Sequence, residues 1–356
     1  MGAGVPGAPD EGGARLSRRL LARGRRLIAA GTAVRVLGMA IGLSGSVVLR
    51  ASAQNFPFTA PLLAEWWLRE LGGLTALGYG LVIFAVGRLT IVRGKQYAQR
   101  IATPEAWLGS RYLLYLRPFR LDARLAALPP DVAGGGGAAG PVFFASGLTY
   151  EESLVRRFQP YGRVVAIGRP GECLPLPGAS RAYLPDEGWQ PAVSGLIAAA
   201  HAVLLSVGSG PSTVWEYTEA LRLLPPERLV LLVCCGPEEY AGFRAAAEAE
   251  YTRRSLLEPG DPATGEWPEP PRLPDYPPPV RPRRSRWEVL LNGGRRRLEW
   301  DYALKGVILL AADRAPAFRR VDPTALRLVS AVGLRRLAGR ELEPVMEQLN
   351  ELSQRE

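Results

Sequence analysis

The stretch from residue 202 to residue 235 reads AVLLSVGSGPSTVWEYTEALRLLPPERLVLLVCC, and it decides the fold. Two short runs, 202–207 and 229–234, apolar but for Ser206, flank a segment that reads as a helix from about Thr213 to Leu224. Such a run predicts a strand buried on both faces, as in a parallel sheet covered by helices. The stretch is therefore strand–helix–strand, the repeating unit of a doubly wound α/β fold.

The same alternation extends outward. YLLYL at 112–116 and the run 164–167 are two earlier strands, with a Gly-rich loop (Gly134–Gly137) between them. Thr149-x-x-Glu152 is a capping box opening a helix that carries Leu154, Val155 and Phe158. Asp186 precedes a helix through Trp189, Val193, Ile197 and Ala200, and another helix covers about 240–254. Residues 258–285 then contain ten prolines, which can neither continue a helix nor enter a central strand. This segment reads as an insertion running over the surface, followed by a hairpin at LLNGGRRRL (290–298). VILLA at 307–311 supplies a fifth strand, and 324–351 is one amphipathic last helix. Residues 105–356 are thus expected to form a flavodoxin-like parallel sheet of about five strands with helices on both faces. Ligands of such sheets bind beyond the carboxyl ends of the strands, where strand order reverses.

Upstream, 27–49 and 71–92 are apolar runs of the length a spanning helix requires, about 20 residues. Arg15, Arg18, Arg19, Arg23, Arg25 and Arg26 precede the first, and Arg93, Lys95 and Arg100 follow the second. The positive-inside rule then places both termini in the cytoplasm and residues 50–70 outside, so 27–100 is a transmembrane hairpin and 1–26 its basic cytoplasmic leader. The expected location is the cell membrane, with the lipid bilayer as partner. Arg35 and Arg88 lie nearer the cytoplasmic face and can snorkel, and Trp66 and Trp67 sit where an interfacial belt belongs. Small residues Gly38, Gly42 and Gly45 offer a face through which the anchor forms a homo-oligomer.

Composition narrows the chemistry. Of 356 residues, 47% are hydrophobic and 22% charged, with a mean hydropathy of +0.00. The net charge of +10 comes almost wholly from arginine, Lys95 and Lys305 being the only lysines. These arginines are scattered and form no stripe, so no nucleic-acid partner is expected. Cys173, Cys234 and Cys235 have neither zinc spacing nor a disulfide framework, and a lone His201 removes most Ser-His and Cys-His schemes. No metal is expected.

The chemistry concentrates between Gly168 and Leu221. Glu216 and Glu219 are three apart on one helix and share a face beside the carboxyl end of the third strand. Carboxylates there can hold ribose hydroxyls or stabilise an oxocarbenium-like centre. Arg117 and Arg169, at neighbouring strand ends, can grip phosphate in bidentate fashion, with Ser209 and Trp215 completing a nucleotide-shaped site. Each has a structural alternative: Thr213-x-x-Glu216 is itself a capping box, Glu219 suits a helix N-terminus, and Arg117 can pair with Asp122. No P-loop or dinucleotide fingerprint occurs.

Ser212, Trp215 and Glu219 in PSTVWEYTEAL resemble the serine, tryptophan and glutamate that follow the third strand of Toll/interleukin-receptor (TIR) domains. Element order agrees over roughly 111–350, and the motif likeness covers 168–235. Membrane-anchored actinobacterial proteins with a strand ending in LR-x-F and a Trp-Glu helix are more similar still, which places Glu216 beside Glu219. The resemblance implies a five-stranded flavodoxin-like sheet. It also implies, in enzymatic members, NAD as substrate, with the glutamate serving to cleave the nicotinamide–ribose bond. Non-catalytic members imply the alternative, a signalling module working through homotypic contacts. The proline-rich insertion, the long loop after the second strand and the LRPF strand end depart from the family pattern.

Overall fold

The computed structural model describes residues 11–54, 60–98, 106–122, 125, 149–168, 178–185, 187–260, 265–291, 304–328 and 331–355. The Gly134–Gly137 loop, Asp186, Arg169 and most of the 290–298 hairpin lie outside the described residues. The chain divides into two units, a helical hairpin and an α/β body.

The hairpin consists of α1 (Glu11–Gln54) and α2 (Ala60–Ala98). Both are longer than the expected apolar runs, because the Arg-, Leu- and Ala-rich flanks are good helix formers and carry the helices onward. Within them Arg19–Ser52 and Glu65–Ala98 are long and apolar enough to cross a membrane, and only 17% and 22% of their most apolar windows are buried. What holds the pair together is a ladder of glycines. Gly24, Gly31, Gly38 and Gly45 on α1 meet Gly94, Gly87, Gly80 and Gly73 on α2. A Cβ at Gly38 would lie 2.7 Å from the Gly80 carbonyl oxygen, and one at Gly45 would lie 2.6 Å from that of Gly73. The backbones thus touch where side chains would normally stand, and the seven-residue spacing keeps the contact on one seam. Arg23 lies over the Tyr97 ring and Arg35 over Phe84, at 4.9 and 5.2 Å. The face expected to join copies is therefore turned inward: Gly38, Gly42 and Gly45 are buried against α2.

The body is built on seven strands: β1 (Tyr112–Leu116), β2 (Arg163–Gly168), β3 (Ser180–Tyr183), β4 (Ala202–Ser206), β5 (Leu229–Val233), β6 (Gly306–Leu310) and β7 (Pro316–Arg320). Their order is β3-β2-β1-β4-β5-β6-β7. The first five neighbours pair in parallel, for example Leu114 with Val203. β6 and β7 run antiparallel, Leu231 facing Ile308. This corrects the expectation of about five parallel strands: two edge strands are added and the predicted fifth strand is reversed.

β1, β4, β5 and β6 are buried at every position, as their apolar runs require. Alternate residues feed two cores. Leu114, Val203, Leu205 and Leu231 pack under α4 (Gln190–Ala199), α5 (Pro211–Leu223) and α6 (Pro237–Leu257). Leu113, Leu204, Val230 and Leu232 pack on α3 (Tyr150–Phe158) and α8 (Ala331–Arg355). Thr149 and Glu152 form the expected capping box. The 324–351 segment is not one helix: a 3-10 turn at Pro323–Ala325 precedes α8.

The described parts of the proline-rich insertion, 258–260 and 265–285, form a strap across the α5–α6 side. Tyr240 and Tyr251 donate to the carbonyls of Pro274 and Pro268, and Trp267 donates to Glu258 O. Leu273 is buried in the core, and Tyr276 stacks edge-on with Tyr240 and Phe318. Its last part leads into the short α7 (Arg286–Leu291).

Candidate functional site

Strand order reverses between β1 and β4, since β2 and β3 lie on one side and β5 on the other. A crevice at the carboxyl ends of the strands is expected there. A cavity of about 210 Å³ occupies it, lined by Tyr115, Leu116, Arg117, Phe119, Ile167, Gly168, Leu184, Pro185, Trp189, Val193, Ser212 and Glu216. The volume is several times the roughly 30 Å³ share of one water and below the 300 Å³ or more of a drug-sized pocket, so it encloses about one ring system.

Glu216 and Arg117 are the charged side chains on this lining. The Oε2 of Glu216 is sealed from solvent and has no hydrogen-bond partner among the described residues. Burial pushes its carboxyl up to about 8, with the nearby Arg117 pulling the other way. Glu216 therefore holds its proton at neutral pH. It does not cap a helix: α5 is capped by Gly210 with Pro211 in its first turn, so the expected Thr213–Glu216 capping box is absent.

Arg117 continues away from the cavity into a buried charge cluster. Its Nη2 stands 2.8 Å from Asp122 Oδ1 and 3.6 Å from Glu151 Oε2. Glu151 also binds Arg181 through both oxygens, at 2.9 and 2.8 Å, and accepts from the Ala179 amide. Burial raises the Asp122 carboxyl, which Arg117 and Arg181 partly offset. The guanidinium of Arg117 also lies 5.5 Å from the Tyr115 ring centroid. The anticipated Arg117–Asp122 pair is thus present, inside a larger network.

Glu219 lies elsewhere. Three residues along a helix leave an offset of about 60°, and this turns Glu219 toward α4 and α6. Its oxygens accept from Ser194 Oγ at 2.6 Å, Arg222 Nε at 3.0 Å and Arg254 Nη2 at 2.6 Å. Glu219 and Arg254 side chains are only 1% and 2% exposed. Burial alone would raise its carboxyl, but the hydrogen bonds from Arg222, Ser194 and Arg254 outweigh it and hold the group below the usual range. Trp215 belongs to the same structural cluster, meeting Trp189 edge-on at 5.0 Å under the Arg254 guanidinium. Ser209 is exposed, and Ser212 rather than Ser209 lines the cavity.

Of the residues singled out from sequence, the fold brings Arg117 and Glu216 together, leaves Glu219 and Trp215 one layer behind, and Arg169 falls outside the described residues. Sequence reading passed over the apolar wall Leu184, and over Glu151 and Arg181. Among the described residues no three His, Cys, Asp or Glu converge as a metal ion would need. His201 is buried and bonded to Arg111 at 2.8 Å. Cys234 and Cys235 are buried thiols outside any disulfide. Comparison with family models, curated proteins and solved structures finds no match.

Proposed function

We propose that this chain is a membrane-anchored, TIR-like domain whose switch-point cavity takes the base of NAD or a related nucleotide, with the ribose at its mouth. On this reading α1 and α2 span the bilayer and both termini lie in the cytoplasm. The carrying observation is Glu216: a carboxyl on the wall of a ring-sized cavity, its Oε2 sealed from solvent and without a hydrogen-bond partner among the described residues, at the place where such sheets bind ligands. The strand order adds support. With edge strand β3 set aside, β2-β1-β4-β5-β6 follows the flavodoxin-like order, although β6 is reversed.

The chemistry follows from the charge balance. A cationic nicotinamide ring in the cavity favours the carboxylate, so binding drives a proton from Glu216 to water. The glycosidic C–N bond then breaks with its electron pair leaving on nicotinamide, and the Glu216 carboxylate faces the ribosyl cation. Water attacks the anomeric carbon, giving ADP-ribose and a proton, and Glu216 takes a proton back as the site empties, so one proton is released per turnover. The cavity holds one ring system, so the pyrophosphate lies at the rim, where α5 begins and its N-terminal turn favours anions. Arg117, held by Asp122 and Glu151, keeps Glu216 from still greater desolvation cost.

The test is nicotinamide release from NAD by the full chain in detergent, with thermal shifts by NAD and ADP-ribose. Release that is lost in Glu216→Gln, with ligand-induced shifts retained, supports catalysis. No release and no shift from either ligand refutes the nucleotide reading. A second reading, a non-catalytic module, is favoured by exposed Leu256 and Leu257 at the end of α6, which suit homotypic contact. Concentration-dependent self-association without any ligand shift would select it.

A further inference from the structure

After the strap, the chain presents an outward basic and apolar surface. Residues 280–290 read VRPRRSRWEVL. Arg281, Arg283 and Arg286 are exposed, and so are Val280 (60%), Trp287 (74%) and Leu290 (64%). Trp287 and Leu290 stand three apart on α7 and share a face.

This exposure is built in. The Val280 amide donates to Asp322 at 2.9 Å and Arg284 donates to the carbonyls of Thr324 and Leu326, at 2.6 and 2.7 Å. Ser285 and Glu288 form a reciprocal capping box, at 2.6 and 3.2 Å, and Glu288 also faces Arg327. The one acid of the stretch is thereby engaged at the helix start, while three arginines and three apolar side chains are left outward.

We infer that residues 280–290 form a second membrane contact, with Arg281, Arg283 and Arg286 on anionic lipid headgroups and Trp287, Leu290 and Val280 at the acyl boundary. Basic side chains with an exposed tryptophan are the complement of an anionic leaflet. This rests on the anchor reading, because a tether raises the local concentration of lipid surface. A partner domain reading Pro-rich helices fits less well. It would use Pro279-x-x-Pro282 with a flanking arginine, yet Pro282 is half-buried and Arg284 is bound to backbone carbonyls.

The test uses the full chain with Cys173→Ser and Leu290→Cys, labelled at the introduced thiol with an environment-sensitive fluorophore. It is reconstituted into phosphatidylcholine vesicles with or without phosphatidylserine, each carrying a headgroup-level spin-label quencher. Flotation after carbonate washing reports the anchor separately. The expected result is quenching and a blue shift only with phosphatidylserine, reversed by high salt. Replacing Arg281, Arg283 and Arg286 together by glutamine should cut the contact about a hundredfold, at roughly fivefold per arginine. Trp287→Ala should weaken it while leaving flotation intact. Flotation with no quenching in either lipid overturns the contact and spares the anchor; absence of flotation overturns both. Quenching unchanged in the triple variant, or a label shielded only by an added Pro-reading domain, also overturns it.

Discussion

Replacing Glu216 by glutamine should make the α/β body more stable, by an amount that grows with pH. The native carboxyl titrates near 8, against 4.5 for an ordinary glutamate. Below pH 4.5 both folded and unfolded chains carry the proton, and nothing is lost. Between 4.5 and about 8 the unfolded chain releases its proton while the native chain retains it, so stability falls as pH rises. Above that window both forms are ionised and the loss is complete. Each pH unit within it costs about 1.4 kcal/mol. At pH 7 the interval is 7 minus 4.5, so the cost is about 3 kcal/mol, and across the whole window it is about 5 kcal/mol. Glutamine keeps the shape without the titration, and Oε2 has no hydrogen bond among the described residues to forfeit. The variant should therefore gain about 2–3 kcal/mol at pH 7, raising Tm by about 5–10 °C for a body of this size. Thermal melts of the detergent-solubilised chain near pH 5 and above pH 7 measure it. An equal offset at both pH values, or a loss at the higher one, would refute the argument that this carboxyl is buried without a partner.

The Glu219 cluster predicts the opposite behaviour. Glu219→Ala removes one of the two carboxylates that Arg254 holds, leaving Glu258, and should cost about 1–3 kcal/mol in denaturant titration. Because the Glu219 carboxyl is held below its usual range, its contribution is present above pH 4.5 and fades as pH falls through the native value; Glu219→Gln should flatten that acid limb. In the hairpin, Gly38→Ala forces a Cβ within 2.4 Å of the Phe84 amide and should destabilise the helix pair by about 1–3 kcal/mol, read as a lower disulfide yield between one cysteine introduced on each helix. Gly78→Ala, which meets open space, should be neutral in the same assay. Tyr276→Ala removes the edge-on contacts to Tyr240 and Phe318 and should cost about 2 kcal/mol, exposing the strap to proteolysis without altering the Glu216 titration.

The interior strands were legible because burial on both faces demands unbroken apolar runs, and YLLYL, AVLLS and LVLLV can be little else. The edges obey other rules. SRAY carries Arg181, which a paired Glu151 allows to be buried, and PAFRR alternates half-buried with exposed positions. Neither has a hydrophobic signature to find. Direction is equally silent: β6 is as apolar as a parallel strand, and only the strap before it brings the chain back antiparallel. At the site, the sequence placed Glu216 and Glu219 on one helix but could not separate them. The separation comes from Arg254, 35 residues further on and across a helix pair, which binds Glu219, whereas the Glu216 Oε2 has no hydrogen-bond partner among the described residues. Pro211 directly after Gly210 was the local sign that the helix starts before Thr213.

The seam of the hairpin also governs how it can move. A slip of α1 against α2 by one residue would drive side chains into backbone at four rungs at once. The glycines come back into phase only after seven residues, a step of about 10 Å at roughly 1.5 Å per residue. Sliding of one helix along the other is thereby opposed by backbone contact at every rung, while tilt or rotation of the pair as a unit breaks none of them.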